Sequence, residues 1–255
     1  MSQSMIGAQV YTVRDHTKTP SDIAKSFSRI KKIGYDVLEV SALGPIETSE
    51  LVRILDGEGL TCAATHMDLA MMQDVSACVD YHEALGCKYP AIGGVEEIFK
   101  ADSIAPYHEF ARRFNQIAEP LAAQGLKVGY HNHSHELAHY DGAIGLDVLI
   151  NECGPGVWFE IDTYWIAHGG ADPATWIEKV KGRIPCVHFK DMGITPSREH
   201  KMMEIGDGNL NWPRILEACR AAEVQWYVVE RDAGEMDPFD SLQRSLDNLR
   251  GMGLS

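Results

Sequence analysis

Three histidines and a carboxylate follow an apolar run in Leu126-Lys-Val-Gly-Tyr-His131-Asn-His133-Ser-His135-Glu136. Imidazoles and carboxylates bind divalent ions and move protons near neutral pH, and a buried strand that ends in them delivers them to the rim of a fold. Later runs end in the same way. Val157-Trp-Phe-Glu-Ile-Asp162 closes on an acid, Ile184-Pro-Cys-Val-His188-Phe leads into Lys190-Asp191, and Gln225-Trp-Tyr-Val-Val-Glu230 leads into Arg231-Asp232. Taken singly, Asp162 could cap the next helix but suits a functional role better, His188 reads as a satisfied core histidine, and Glu230 after an apolar strand needs a compensating partner. Taken together on successive strands, the three point to one shared ion, with a further ligand from the fifth run, where Glu136 or His131 could serve. Acids with imidazole suit a hard or borderline divalent cation, Mn²⁺ first, with Mg²⁺, Co²⁺ or Zn²⁺ as alternatives.

Such a rim needs a scaffold that aims many strand ends at one place. Eight apolar runs recur along the chain, over 6–11, 36–40, 61–66, 89–93, 127–131, 157–162, 184–189 and 225–230. Segments with helical spacing separate them, such as Ile23, Phe27, Ile30 and Ile33, or Ile104, Phe110, Phe114, Ile117 and Leu121. Asp172-Pro173, Asp237-Pro238 and Asn211 before Trp212-Pro213 mark helix starts, and Gly34, Gly59, Gly86 and Gly125 mark helix ends. Eight alternations predict an α/β (β/α)₈ TIM barrel spanning residues 1–255 as a single domain. A doubly wound sheet competes, but the first run passes into Tyr11-Thr-Val-Arg-Asp15 and not into a glycine-rich phosphate turn. The barrel reading places Gln9, Glu39, His66, His131, Asp162, His188 and Glu230 at the same C-terminal rim. His16, His82, His108, His139 and His168 are read as solvent-facing.

Composition narrows the function. The chain has 255 residues, 45% of them hydrophobic, and a formal net charge of -14, which repels polyphosphate backbones and favours a small-molecule substrate over nucleic acid. No run of about eighteen apolar residues is present to span a membrane. The start, Met1-Ser-Gln-Ser-Met-Ile6, has neither a basic n-region nor a long apolar stretch, so a cytoplasmic location is expected. Six scattered cysteines form no C-x-x-C pair and read as ordinary thiols.

The segments Tyr130-His-Asn-His133, Glu160-Ile-Asp-Thr-Tyr-Trp165, Gly169-Gly-Ala-Asp-Pro173, Val187-His-Phe-Lys-Asp191, Glu204-Ile-Gly-Asp-Gly-Asn209 and Val229-Glu230 resemble, in order and spacing, the sugar phosphate isomerase/epimerase family. That family shares the xylose isomerase-like barrel with endonuclease IV, inosose dehydratase and the ketose 3-epimerases. The resemblance implies a divalent metal held by Asp162, His188 and Glu230. The epimerases carry a glutamate at the end of strand five, where this chain has Tyr130-His131, and Glu136 is favoured there as the metal ligand. They carry a histidine three residues after the strand-six aspartate, where this chain has Trp165.

The expected reaction is isomerisation or epimerisation of a sugar, keto-sugar or polyol through an enediolate. Glu230 or Glu136 would be the base, and His131, His133 or Lys190 the proton donor or oxyanion partner. Gln9, Glu39 and His66 would orient substrate hydroxyls, and Trp165 would form an apolar wall. A lyase of the same fold, dehydrating an inosose or eliminating from a 3-keto-glycoside, is the alternative. An endonuclease IV-like enzyme and a non-enzymatic binding barrel are the remote ones. The substrate's phosphorylation and the oligomeric state stay open, a homo-oligomer included.

Overall fold

Alternation of apolar strands and amphipathic helices closes here into a ring. The computed structural model describes residues 5–254; residues 1–4, on which the expectation of no leader partly rests, and residue 255 lie outside them. The ring strands are β1 (Met5–Gln9), β2 (Val37–Val40), β3 (Thr61–His66), β4 (Pro90–Ile92), β5 (Gly129–His131), β6 (Trp158–Asp162), β7 (Cys186–Phe189) and β8 (Trp226–Val229). β1 starts one residue before its expected run, at Met5, and the other seven fall within theirs. All pair in parallel, each with its sequence neighbour, and β1 shuts the barrel by pairing Gly7 with both Val37 of β2 and Val228 of β8.

The capping chemistry appears as the sequence predicts. Asp172 accepts from the Ala174 and Thr175 amides, Asn211 from Arg214, and Asp237 from Phe239 and Asp240. Helix Pro20–Ile33 stops at Gly34, whose φ of 116° is open to glycine and strained for other residues. The helices shield the outer face of the ring with one large core that includes Phe27, Ile30, Phe110, Phe114 and Leu246. Among the described residues no helix is long and apolar enough to cross a membrane. All six cysteines are free and buried.

The inside of the barrel is layered, because successive strand residues face opposite sides. Its floor is a separate apolar cluster of Ala64, Ala91, Trp158, Cys186 and Val228, packed against Tyr89 and Trp226. Gly129 makes room for it: a Cβ there would stand 2.2 Å from the Trp158 ring. Two residues along β6 from Trp158 comes Glu160, and two further Asp162, so one strand contributes floor, middle and rim. The β2–β3 register slips between Leu38 and Glu39, where Ala63 is the extra residue, and Glu39 comes to pair with Ala64.

One histidine departs from expectation. His82 is fully buried, not solvent-facing, with Nε2 2.9 Å from Thr65 Oγ1 and Nδ1 2.6 Å from the Cys78 carbonyl. The helix Val75–Leu85 turns it inward, and both ring nitrogens find partners there.

Candidate metal centre

Strands β5 to β8 each deliver side chains to one buried point. His131, Asp162, His188 and Glu230 each offer a ligand atom, and these atoms lie within 4.8 Å of one another. None of the four is more than 6% exposed. Asp162 is doubly placed: its Oδ1 caps helix Thr163–His168 through the Trp165 amide, and its backbone N–H donates to Asn132 Oδ1 across to β5. The middle residue of the His-Asn-His segment is therefore a strap between strands that fixes two flanking imidazoles.

Lys190 enters the same space. Its Nζ lies 2.8 Å from Glu230 Oε2, 3.0 Å from Asp162 Oδ2 and 3.0 Å from Asp232 Oδ1. Burial alone would strip its charge, but Asp162, Glu230 and Asp232 outweigh burial and keep it an ammonium. Burial likewise opposes ionisation of Asp162 and Glu230, and both are nevertheless held well below the usual carboxylate range, chiefly by Lys190. Asp232 moves the other way, to about 6, pushed first by burial and then by the Glu230 charge. Burial brings His131 down to about 4 and His133 to about 2, so both are neutral imidazoles at physiological pH.

The donor set fits a divalent ion. His188 Nδ1 and Glu230 Oε2 stand 2.9 Å apart, both buried, and Lys190 Nζ meets the same glutamate oxygen at 2.8 Å. His131 Nδ1 is also buried without a hydrogen-bond partner. Buried imidazoles and carboxylates that converge within 4.8 Å of one another form a donor set that a hard or borderline divalent ion fits.

A cavity of about 380 Å³ opens above this point, lined by Tyr11, His66, Gly93, Phe99, His131, His133, Trp165, Lys190, Glu230 and Asp232. Trp165 forms one wall, its ring 5.2 Å from that of His133 and 5.5 Å from Lys190 Nζ. Gln9 and Glu39, read from sequence as substrate-orienting, are fully buried and do not line it. Gln9 Oε1 accepts from Ser41 and from the Tyr11 amide, and Glu39 faces His188 and His66.

Glu136, favoured from sequence as the strand-five ligand and a candidate base, does not share the cluster. It lies past the end of β5 in the turn His135–Leu137, grouped with His133 and His135. Its oxygens accept from the Tyr130 hydroxyl at 2.8 Å and the His133 amide at 2.9 Å. The strand-five member of the cluster is His131.

Two acids escaped the sequence reading. Glu160 is fully buried, 2.6 Å from His66 and 3.2 Å from His188, and its spacing of two from Asp162 was the available signal. Asp232 reaches the cavity from beyond β8. Asp191, by contrast, serves architecture: it accepts from the amides of Met192, Gly206, Gly208 and Leu210 and from Trp212 Nε1. The Glu204–Asn209 segment thus folds around a carboxylate, and Gly208 leaves it room, since a Cβ there would stand 2.4 Å from Asp191 Oδ1.

Comparison with known proteins agrees with this architecture. The chain is 22% identical over 276 residues to the rhizopine catabolism protein MocC of Rhizobium meliloti, covering 90% of this chain and 81% of the relative. It is 22% identical to an inosose dehydratase of Mesomycoplasma hyopneumoniae, covering 95% and 93%. A sugar phosphate isomerase/epimerase structure from Parabacteroides distasonis superposes with a TM-score of 0.82 at 22% identity, covering 98% of this chain and 94% of that one. The family described as xylose isomerase-like TIM barrel matches residues 27–252, and the chain belongs to it.

Proposed function

We propose that this enzyme isomerises or epimerises a small sugar or keto-sugar by removing a proton next to a carbonyl, with a divalent ion held by His131, Asp162, His188 and Glu230. The observation that carries the reading is the convergence of four buried ligand atoms, one each from His131, Asp162, His188 and Glu230, within 4.8 Å of one another. When bound there, a divalent ion supplies positive charge to adjacent carbonyl and hydroxyl oxygens and makes the intervening C–H acidic.

The chain's own groups divide the remaining work. Glu230 is engaged in the cluster and Glu136 lies outside the cavity, so proton removal falls to Asp232. It lines the cavity beside Lys190 and takes no part in the cluster. Its value of about 6 suits a general base near neutral pH. The Lys190 ammonium meets Asp162, Glu230 and Asp232 and holds these carboxylates in place beside the cavity. His66 and His133 line the cavity as hydrogen-bonding partners for hydroxyls, and Trp165 offers an apolar face to a sugar ring. Lys190 is spent on three carboxylates, which leaves it ill-suited to hold a phosphate and favours a neutral substrate.

A second reading, dehydration of an inosose, is favoured by the 95% coverage of the Mesomycoplasma dehydratase match. Both reactions share proton removal and diverge in what the enolate does next. Incubation of ketoses and inososes in D₂O with Mn²⁺, followed by proton NMR, tests the reading. Metal-dependent loss of the α-proton signal, abolished in Asp232→Asn while ion binding persists, is expected. Epimers among the products support isomerisation and loss of water supports the lyase. No exchange with any substrate of either class contradicts both.

A further inference from the structure

Below the cluster, two wholly buried glutamates face two imidazoles. His188 Nε2 lies 2.6 Å from Glu39 Oε2 and 3.2 Å from Glu160 Oε2. His66 Nε2 lies 2.6 Å from Glu160 Oε2 and 3.1 Å from Glu39 Oε1. The rings of His66 and His188 are themselves stacked, with centroids 5.3 Å apart and planes 28° from parallel. Each glutamate thus touches both histidines and each histidine touches both glutamates.

These four residues have the composition of a cation site, but their spacing favours protons. Ion bonds of about 2.0–2.3 Å hold neighbouring donor atoms about 3 Å apart. Two of the contacts are 2.6 Å, the range of a short hydrogen bond from a ring N–H to a carboxylate. A carboxylate beside one ring nitrogen keeps a proton there and directs the other nitrogen to an ion. For His188 the other nitrogen is Nδ1, the atom that faces Glu230.

We propose that Glu39 and Glu160 act together as a positioning pair that holds the Nε2–H of His188 and of His66, fixing an ion ligand and a cavity-lining imidazole in one frame. The glutamates touch neither the ion nor the substrate in this account. A frame shared by the two rings keeps the distance between the ion and a substrate hydroxyl bound at His66 constant. The inference rests on the proposed ion site at His131, Asp162, His188 and Glu230.

The test combines two measurements on the full chain. Long-range proton–nitrogen NMR of histidine-labelled, metal-free protein reads the tautomers, and competition with a fluorescent chelator reads Mn²⁺ affinity and stoichiometry. Wild type should carry a proton on Nε2 of both His66 and His188 and bind one Mn²⁺ at the cluster. Glu39→Gln and Glu160→Gln, close in shape to the native side chains, should each weaken Mn²⁺ binding by about 10–100-fold. Each single substitution should also disturb the tautomers of both rings. Retained affinity in both variants, a change confined to one ring, or an Nε2 without its proton on either ring in wild type overturns the proposal. So does a second Mn²⁺ lost on Glu39→Gln. Wild type that binds no Mn²⁺ defeats the ion reading itself, while the tautomers of the metal-free protein still judge the pair.

Discussion

Glu136→Gln isolates the cost of a carboxyl group that the fold buries beside the site. The Glu136 side chain is fully buried, and burial raises its value from 4.5 to about 7 against the pull of the His133 amide and the Tyr130 hydroxyl. In the unfolded chain the group loses its proton near 4.5, and in the folded protein only near 7. The folded state therefore binds the extra proton between those values. Its contribution to stability is complete below pH 4.5 and is lost as pH rises through 7. At about 1.4 kcal/mol per pH unit the gap is worth about 3 kcal/mol. Urea unfolding of wild type and Glu136→Gln in chelator, from about pH 4 to pH 8, measures it. The amide forfeits one accepted hydrogen bond at every pH, a constant offset of about 1–3 kcal/mol. Against that offset the variant should gain about 3 kcal/mol relative to wild type across the range. A difference between the two proteins that does not change with pH would refute the reasoning.

Lys190→Met removes the one ammonium set among Asp162, Glu230 and Asp232 and leaves buried carboxylates uncompensated. Metal-free protein should lose about 3–5 kcal/mol by urea unfolding, with part of the loss recovered on adding Mn²⁺; a loss below about 1 kcal/mol would show that the carboxylates do not depend on this lysine. Gly129→Ala forces a methyl group into the Trp158 ring at the barrel floor, and should lower stability by about 1–3 kcal/mol or more in thermal melts without changing the number of ions bound.

Much of this architecture was legible because a barrel strand repeats every two residues. An acid or histidine ending an apolar run must face the barrel axis or the helices, and only the rim tolerates it. Asp162, His188 and Glu230 were found in this way, and the Asp-Pro and Asn-Trp-Pro caps followed from the unpaired amides of a first helical turn. The misses share a different cause. Glu136 and His131 are five residues apart, and which one joins the cluster depends on the turn after β5, where the Tyr130 hydroxyl and the His133 amide capture the glutamate. Glu160 was hidden inside Trp-Phe-Glu-Ile-Asp, its role visible only once His66 and His188 are brought to it from β3 and β7. His82 belongs to the same class, since the helical pattern around it does not reveal that Thr65 lies within reach.

The central claim is that β5 to β8 bring four side chains to one divalent ion. A crystal soaked in Mn²⁺ and measured at the manganese absorption edge tests it most directly. The account predicts one anomalous peak bounded by His131, Asp162, His188 and Glu230, and its loss in Asp162→Asn. A peak at His133, His135 and Glu136 in its place, or none at saturating Mn²⁺, would contradict it.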